Sequence, residues 1–276
     1  MIEQGRFQAR MEGPVRGNVL LRRQQYRAAD DPAAAASIVR TLLSAKVANT
    51  RTVVLRAARE DATAERRHEL AACANGLAAT LRTLGSAAAF PVDELRGMEG
   101  DAARAYFGAF DALITPDDTS LHFSGRSRRP PLDPVNAVLS FLYTLLTHDC
   151  AGALESVGLD PAVGFLHADR PGRPSLALDL VEEFRAPLAD RLALSLLNRR
   201  QLRERHFDRT ASGAVWLSDV GRKIAIQAWQ ERKRESLQHP YLDEACPWGL
   251  LPYTQALLLA RHLRGDLDAY PAFFWR

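Results

Sequence analysis

The stretch from Asp133 to Leu197 constrains this chain more than any other. It sets two long apolar helical patterns end to end and places ionisable residues where packing alone asks for none. Asp133 is a good N-cap, and Pro134 suits a first helical position. Val138, Leu142 and Leu145 recur at helical spacing, and Asp149 is the next member of that series. The apolar stripe thus carries a carboxylate toward the core, where an unpaired one is costly and needs a cation, a donor or a metal. Glu155 lies off the stripe and reads as solvated.

The second pattern starts near Ser175, with Val181, Phe184 and Leu188 on its buried face. Asp179 and Glu182 stand three residues apart, hence on one surface of that helix. His167 ends the apolar run Val163-Gly164-Phe165-Leu166, and a loop rich in Pro, Gly and Arg separates it from Asp179. That loop can bring Asp149, His167 and Glu182 to one point, with Asp179 as an auxiliary group. Carboxylates with one imidazole suit a hard divalent ion, Mg2+ or Mn2+, and the imidazole tilts the choice toward Mn2+. Plainer readings stay open: Asp149 paired with Arg185, His167 a satisfied core histidine, Asp179 and Glu182 a solvated helix face.

A chain of 276 residues can bury a sizeable core. Its net charge is only +3, but Arg greatly outnumbers Lys, which leans weakly toward a phosphate-bearing partner or reflects an ordinary Arg-rich surface. Cys73, Cys150 and Cys246 form no metal-binding pair and no disulfide framework, so a zinc ribbon is unsupported and a reducing compartment is expected. Cys150 reads as a small buried hydrophobe. The N-terminal residues hold no signal-peptide core, and no run of about 18 apolar residues occurs; a cytoplasmic protein is expected.

Along the chain, residues 5–13 alternate like a strand, and residues 17–30 read as a linker or a DNA-facing segment carrying Arg22, Arg23 and Arg27. Helices are expected over 32–60, 62–84, 92–98 and again after Gly100. The loop 115–133 holds Arg126, Arg128 and Arg129, and its length and composition predict a mobile segment able to hold DNA. Residues 206–218 read as a hairpin about Ser212-Gly213. A basic helix over 220–237 offers Arg222 and Lys223 to phosphate, and a last helix covers 251–264.

The segments RPPLDPVNAVLSFLYTLL, GLDPAVGFLH, GRPSLALDLVEEFR and LLARHLRGDLDAYPAFFWR resemble the CRISPR-associated adaptation endonuclease, the integrase subunit that inserts new spacers, and most of all its branch from compact type I systems. The resemblance runs from about Gly5 to Arg276. It implies a mainly α fold: a helical catalytic domain over 31–276, preceded over 1–30 by a linker and the last strand of a β-rich domain. It implies a metal held by a glutamate on the first core helix, the histidine ending GFLH and an acidic residue on the next helix. Matched by position these are Asp149, His167 and Glu182, with aspartate where most members carry glutamate, and Asp179 near the metal. Glu99-Gly100, ahead of Arg104 and Tyr106, resembles a further family motif, read as packing against the active-site helices. The implied cofactor is Mg2+ or Mn2+. The implied partners are double-stranded and branched DNA, a small ferredoxin-like adaptation protein and a second copy of the chain. Asp149, His167 and Glu182 would then be catalytic in phosphodiester transesterification and cleavage. A non-haem iron site is disfavoured because it normally needs two histidines. The alternative from another class is a catalytically silent helical DNA-binding or scaffold subunit.

Overall fold

A computed structural model of the chain describes residues 2–3, 6–7, 19–59, 63–115 and 121–275. Two central helices organise them. Helix α2 (Pro32–Arg59) follows α1 (Val19–Asp30) and starts where the Asp31 carboxylate accepts from Ala33 N at 2.9 Å. Small and branched residues line α2, and Val39, Leu42, Ala45 and Val54 lie within the core. This helix is wrapped by α1, α3 (Ala64–Leu84), α4 (Val92–Gly108) and α6 (Ser175–Phe184).

The other central helix is α5 (Pro134–Val157). Its start is as expected: Asp133 caps it by accepting from Asn136 N at 2.7 Å, and Pro134 opens the first turn. Leu139, Leu142, Leu146, Cys150 and Leu154 are fully buried, each leucine contributing about 2 kcal/mol. By length and composition α5 is apolar enough to cross a membrane, yet it packs between α6 and α9 (Leu251–Leu263). All three cysteines are free and buried, and burial raises the Cys150 thiol well above its usual range, as fits an inert core residue.

Several sequence expectations are corrected. In place of one strand over 5–13, β1 (Ile2–Glu3) pairs antiparallel with β2 (Arg6–Phe7), while residues 8–13 lie outside the described residues. From Val19 onward the expected linker is helix α1, whose buried Gln25 donates to the Asp160 and Val163 carbonyls and thereby docks α1 on the loop ahead of His167. The short helix over 92–98 continues through Gly97 and Gly100 as one helix, because an added Cβ at either meets nothing and neither glycine is required to turn the chain. The helix expected over 175–197 is α6, then a π-helical turn (Arg185–Asp190), then α7 (Arg191–Asn198). Pro187 falls inside that turn, where its missing N–H breaks the ordinary helical ladder.

The expected hairpin is present, with β3 (Phe207–Arg209) against β4 (Val215–Leu217) and Phe207 opposite Leu217. Helix α8 (Asp219–Arg234) follows. A second hairpin, β5 (Ser236–Gln238) with β6 (Ala245–Pro247), had no clear turn signature in the sequence. Its corner is held by His239 Nδ1, which accepts from Tyr241 N and Leu242 N.

Candidate active site

Helices α2, α4 and α6 meet at one point, and each delivers an ionisable side chain to it. Lys46 comes from α2, Glu99 from α4 and Glu182 from α6. The Lys46 ammonium contacts Glu99 Oε1 closely and lies 2.7 Å from Glu182 Oε2. Arg185, three residues beyond Glu182, holds the other oxygen, Oε1, at 2.6 Å. Its guanidinium lies 5.0 Å from the centre of the Tyr143 ring. Burial alone would raise the Glu182 pKa; Arg185, Lys46 and His167 outweigh it and bring the carboxyl down to about 2. Glu182 is therefore an anion at any working pH. Its Oε2 is buried and receives no directed hydrogen bond among the described residues.

His167 reaches the same point from a loop that has little freedom. Asp179, fully buried, accepts from Phe165 N at 2.6 Å and Leu166 N at 3.0 Å through Oδ2. Its Oδ1 takes His167 N at 3.0 Å and the ring Nδ1 at 2.6 Å. With Nδ1–H donated to a carboxylate, the lone pair sits on Nε2, which faces Glu182 Oε1 at 4.0 Å. From the far side Arg96 donates twice to the Leu166 carbonyl, at 3.0 and 2.9 Å. Gly164 is obligatory here, since a Cβ would stand 2.8 Å from the Ser175 carbonyl carbon and 2.9 Å from Asp179 Oδ2.

Of the four residues that spacing and resemblance singled out, three come together: His167, Asp179 and Glu182. Asp179 is not a candidate ligand, because both its oxygens are taken up in fixing the loop. Asp149 stands elsewhere. The buried stripe of α5 runs through Leu142, Leu146 and Cys150, one position round from the series that predicted it, which leaves Asp149 at the margin. There its carboxylate accepts from Lys233 of α8 at 2.7 Å. Nor does it pair with Arg185, which belongs to Glu182.

The carboxylate that does face Glu182 is Glu99, which the sequence reading had assigned to packing. Its cue was local: Arg96 and Glu99 lie three apart on α4, so the same helix face grips the histidine loop and presents the acid. As placed, no three His, Cys, Asp or Glu side chains among the described residues stand ready to hold a metal ion. The donor set nonetheless fits one: two carboxylates, an imidazole whose far nitrogen is fixed, and a buried carboxylate oxygen short of a donor.

The expected DNA contacts divide. Arg126 is tied into the fold, donating to Asn136 Oδ1 at 2.6 Å and Ser140 Oγ at 3.1 Å. Asn136 in turn holds Gly125 O and Ser127 N, so the described part of the loop is pinned to α5 rather than mobile. Arg128 and Arg129 are exposed. A cavity of about 550 Å³ opens between this loop and α4, lined by Phe107, Phe123, Arg104, Arg126 and Arg128 and reaching Gly100 beside Glu99. On α8, Arg222 pairs with Asp219 and with the Leu217 carbonyl, while Lys223 is exposed.

The fold is shared with proteins that join DNA ends. A casposase bound to its integration product superposes with a TM-score of 0.81 at 24% identity, over 96% of this chain and 71% of that one. A partial Cas6-RT-Cas1–Cas2 complex gives a TM-score of 0.76 at 24% identity, over 92% and 72%. In sequence, "CRISPR-associated endonuclease Cas1 2" of Rhodospirillum rubrum is 60% identical over 99% of this chain and 79% of its own length. Residues 1–231 match the family described as CRISPR associated protein Cas1, and the chain belongs to that family.

Proposed function

We propose that this chain is a divalent-metal-dependent DNA endonuclease and integrase that inserts spacers into a CRISPR array. The observation that carries this is the convergence of Glu99 and Glu182, from two helices, on a single cation beside a histidine oriented by Asp179. Glu99, His167 Nε2 and Glu182 would hold Mg2+ or Mn2+. That ion, when bound, polarises a phosphodiester and stabilises charge on the in-line oxygens.

The chain's own groups supply the rest. Asp179 keeps the His167 lone pair on Nε2. Arg185 stays on Glu182 Oε1 and fixes the carboxylate's orientation. Arg104 and Arg128 flank the cavity that runs up to Glu99 and would neutralise backbone phosphates there, with Arg129 and Lys223 as outlying contacts. Arg126 and Arg222 shape their segments and are secondary. In the joining reaction a DNA 3′-oxygen forms a bond to a phosphorus of the repeat strand. The bond from that phosphorus to the strand's own 3′-oxygen breaks, and the departing oxygen takes up the proton. Water in place of the 3′-hydroxyl gives cleavage.

The partners we assign are double-stranded and branched DNA, a small adaptation protein of the Cas2 kind and a second copy of this chain. They rest on the family and on the assemblies in which its structural relatives occur. The test is strand transfer and cleavage on branched DNA with Mg2+ or Mn2+, comparing wild type with His167→Ala. A loss of at least about a hundredfold in the variant is expected. Metal-independent binding without cleavage by either protein would replace this reading with a silent scaffold.

A further inference from the structure

We propose that Lys46 is the resident counter-ion of this site: its ammonium holds Glu99 and Glu182 together in the metal-free protein and must leave before a divalent cation can sit between them. The proposal rests on the metal reading above and adds to it a residue that sets how much metal the protein needs.

Geometry carries the argument. Lys46 is 7% exposed, and its Nζ is the group through which the α4 and α6 carboxylates meet. Two buried anions facing each other without a cation repel, and each loses its water with nothing in exchange. A mobile ion can answer that repulsion only when one is bound, whereas a tethered ammonium is always present. The ammonium contacts one oxygen from each acid, including the Glu182 Oε2 that receives no directed hydrogen bond. Arg185 keeps Oε1 throughout, so removing Lys46 from Oε2 does not release Glu182 from its other anchor.

Residue type argues the same way. Lysine occurs at only three positions in the chain, 46, 223 and 233, in a sequence whose basic residues are otherwise all arginine. A composition so averse to lysine keeps one at the most buried cationic position facing two acids. A guanidinium would spread over a carboxylate as a planar fork, as Arg185 does. An ammonium is a compact point charge on a flexible stem, able to mimic an ion and to turn away. An internal cavity of about 20 Å³ adjoins the stem, bounded by Thr50, Tyr106 and Asp190, and gives room for such a turn.

If ammonium and metal exclude each other, each weakens the other by the same factor. The test uses the full-length chain stripped of metal by chelation, with Mn2+ titrated calorimetrically and thermal unfolding followed with and without Mn2+. Lys46→Met is expected to bind Mn2+ about tenfold more tightly than wild type. It is also expected to unfold at lower temperature without metal and to gain more from Mn2+ than wild type does. Wild type that binds Mn2+ beside a Lys46→Met protein that binds it no more tightly overturns the role of Lys46 alone. Failure of both proteins to bind Mn2+ overturns the metal reading and the competition with it. Should Lys46→Met not fold without metal, the double variant Lys46→Met, Glu99→Gln removes one charge of each sign and is expected to recover metal-free stability. No recovery would overturn the counter-ion.

Discussion

Glu182 and Glu183 are neighbours on α6, both buried, and they live in opposite electrostatic worlds. Glu182 faces cations: Lys46, Arg185 and the His167 ring, which together hold its pKa near 2 against the effect of burial. Glu183 faces neutral donors. Its oxygens accept from Gln255 Nε2 at 2.9 Å, from Phe273 N at 2.6 Å and, in a short contact, from the Tyr270 hydroxyl. Burial raises its pKa to about 7, and those three donors only moderate the rise. Helix α2 mirrors the division: Lys46 serves the Glu182 side. Asn49, three residues on, takes the other, donating to the Glu183 and Phe273 carbonyls at 2.8 Å each. One side is a charged site awaiting a ligand; the other is a neutral clasp that fastens the C-terminal tail. Burial alone marks neither as functional. The sign of the partners does.

The sharpest way to break this contrast is to neutralise one acid from each side. Glu99→Gln or Glu182→Gln is expected to lower DNA cleavage and strand transfer by at least about a hundredfold while the protein stays folded. Glu183→Gln is expected to leave the chemistry in place at temperatures where the protein is folded. Turnover on branched DNA, with circular dichroism as the control for folding, separates the two. Activity lost equally on both sides would dissolve the distinction.

Stability should show the reverse. Glu183→Ala strips acceptors from three buried donors and frees the tail, and is expected to cost about 3 kcal/mol or more. For a chain of this size that lowers Tm by roughly 10 °C, measured by calorimetry in the absence of metal.

A pH titration sharpens the comparison further, because the two acids act with opposite sign. The folded pKa of Glu183, about 7, lies above its ordinary 4.5. Its contribution is therefore complete below 4.5 and is lost as pH rises toward 7. At about 1.4 kcal/mol per pH unit this amounts to about 3 kcal/mol. Asp190 has the same sign: burial raises it to about 6, against the Tyr143 and Tyr106 hydroxyls that donate to it. Glu182, lowered to about 2, contributes above 4.5 and loses that contribution as pH falls. Metal-free stability from denaturant midpoints should therefore fall between pH 5 and pH 8. In Glu183→Gln that slope should flatten to the part owed to Asp190.

Much of this was legible in the sequence. The start of α5, the His167 loop and the acidic face of α6 follow from caps, a run of apolar residues and a spacing of three. The choice between Glu99 and Asp149 does not, because spacing reports which face a residue takes only to within one position. A series through Val138, Leu142 and Leu145 fits α5 as well as the real stripe through Leu142, Leu146 and Cys150, and the two place position 149 differently. Residue type held the better clue. The family pattern asks for a glutamate, and Glu99 meets it, whereas Asp149 required a substitution. The π turn at Pro187 and the second hairpin were beyond local rules. Both depend on partners distant in sequence, such as the Val215 N–H on the Pro131 carbonyl or the His239 ring on Gln255.

The smallest expected effect tests that reassignment most directly. Asp149 and Lys233 form a partly exposed pair, 30% and 23% accessible, at 2.7 Å. Pairs of this kind contribute little, because water competes for both charges and two side chains lose freedom. Asp149→Asn keeps the shape, retains an oxygen for the ammonium and removes only the charge. Its cost should stay below about 1 kcal/mol, with strand transfer unchanged within about twofold. Lys233 is also wedged against Gly249, where a Cβ would stand 3.1 Å from the lysine's own, so packing holds its stem even when the charge partner goes. A loss of activity in Asp149→Asn comparable to that in Glu99→Gln would mean that α5, not α4, brings the decisive carboxylate to the phosphate. The convergence of Glu99 and Glu182 on Lys46 would then be a structural ion pair and nothing more.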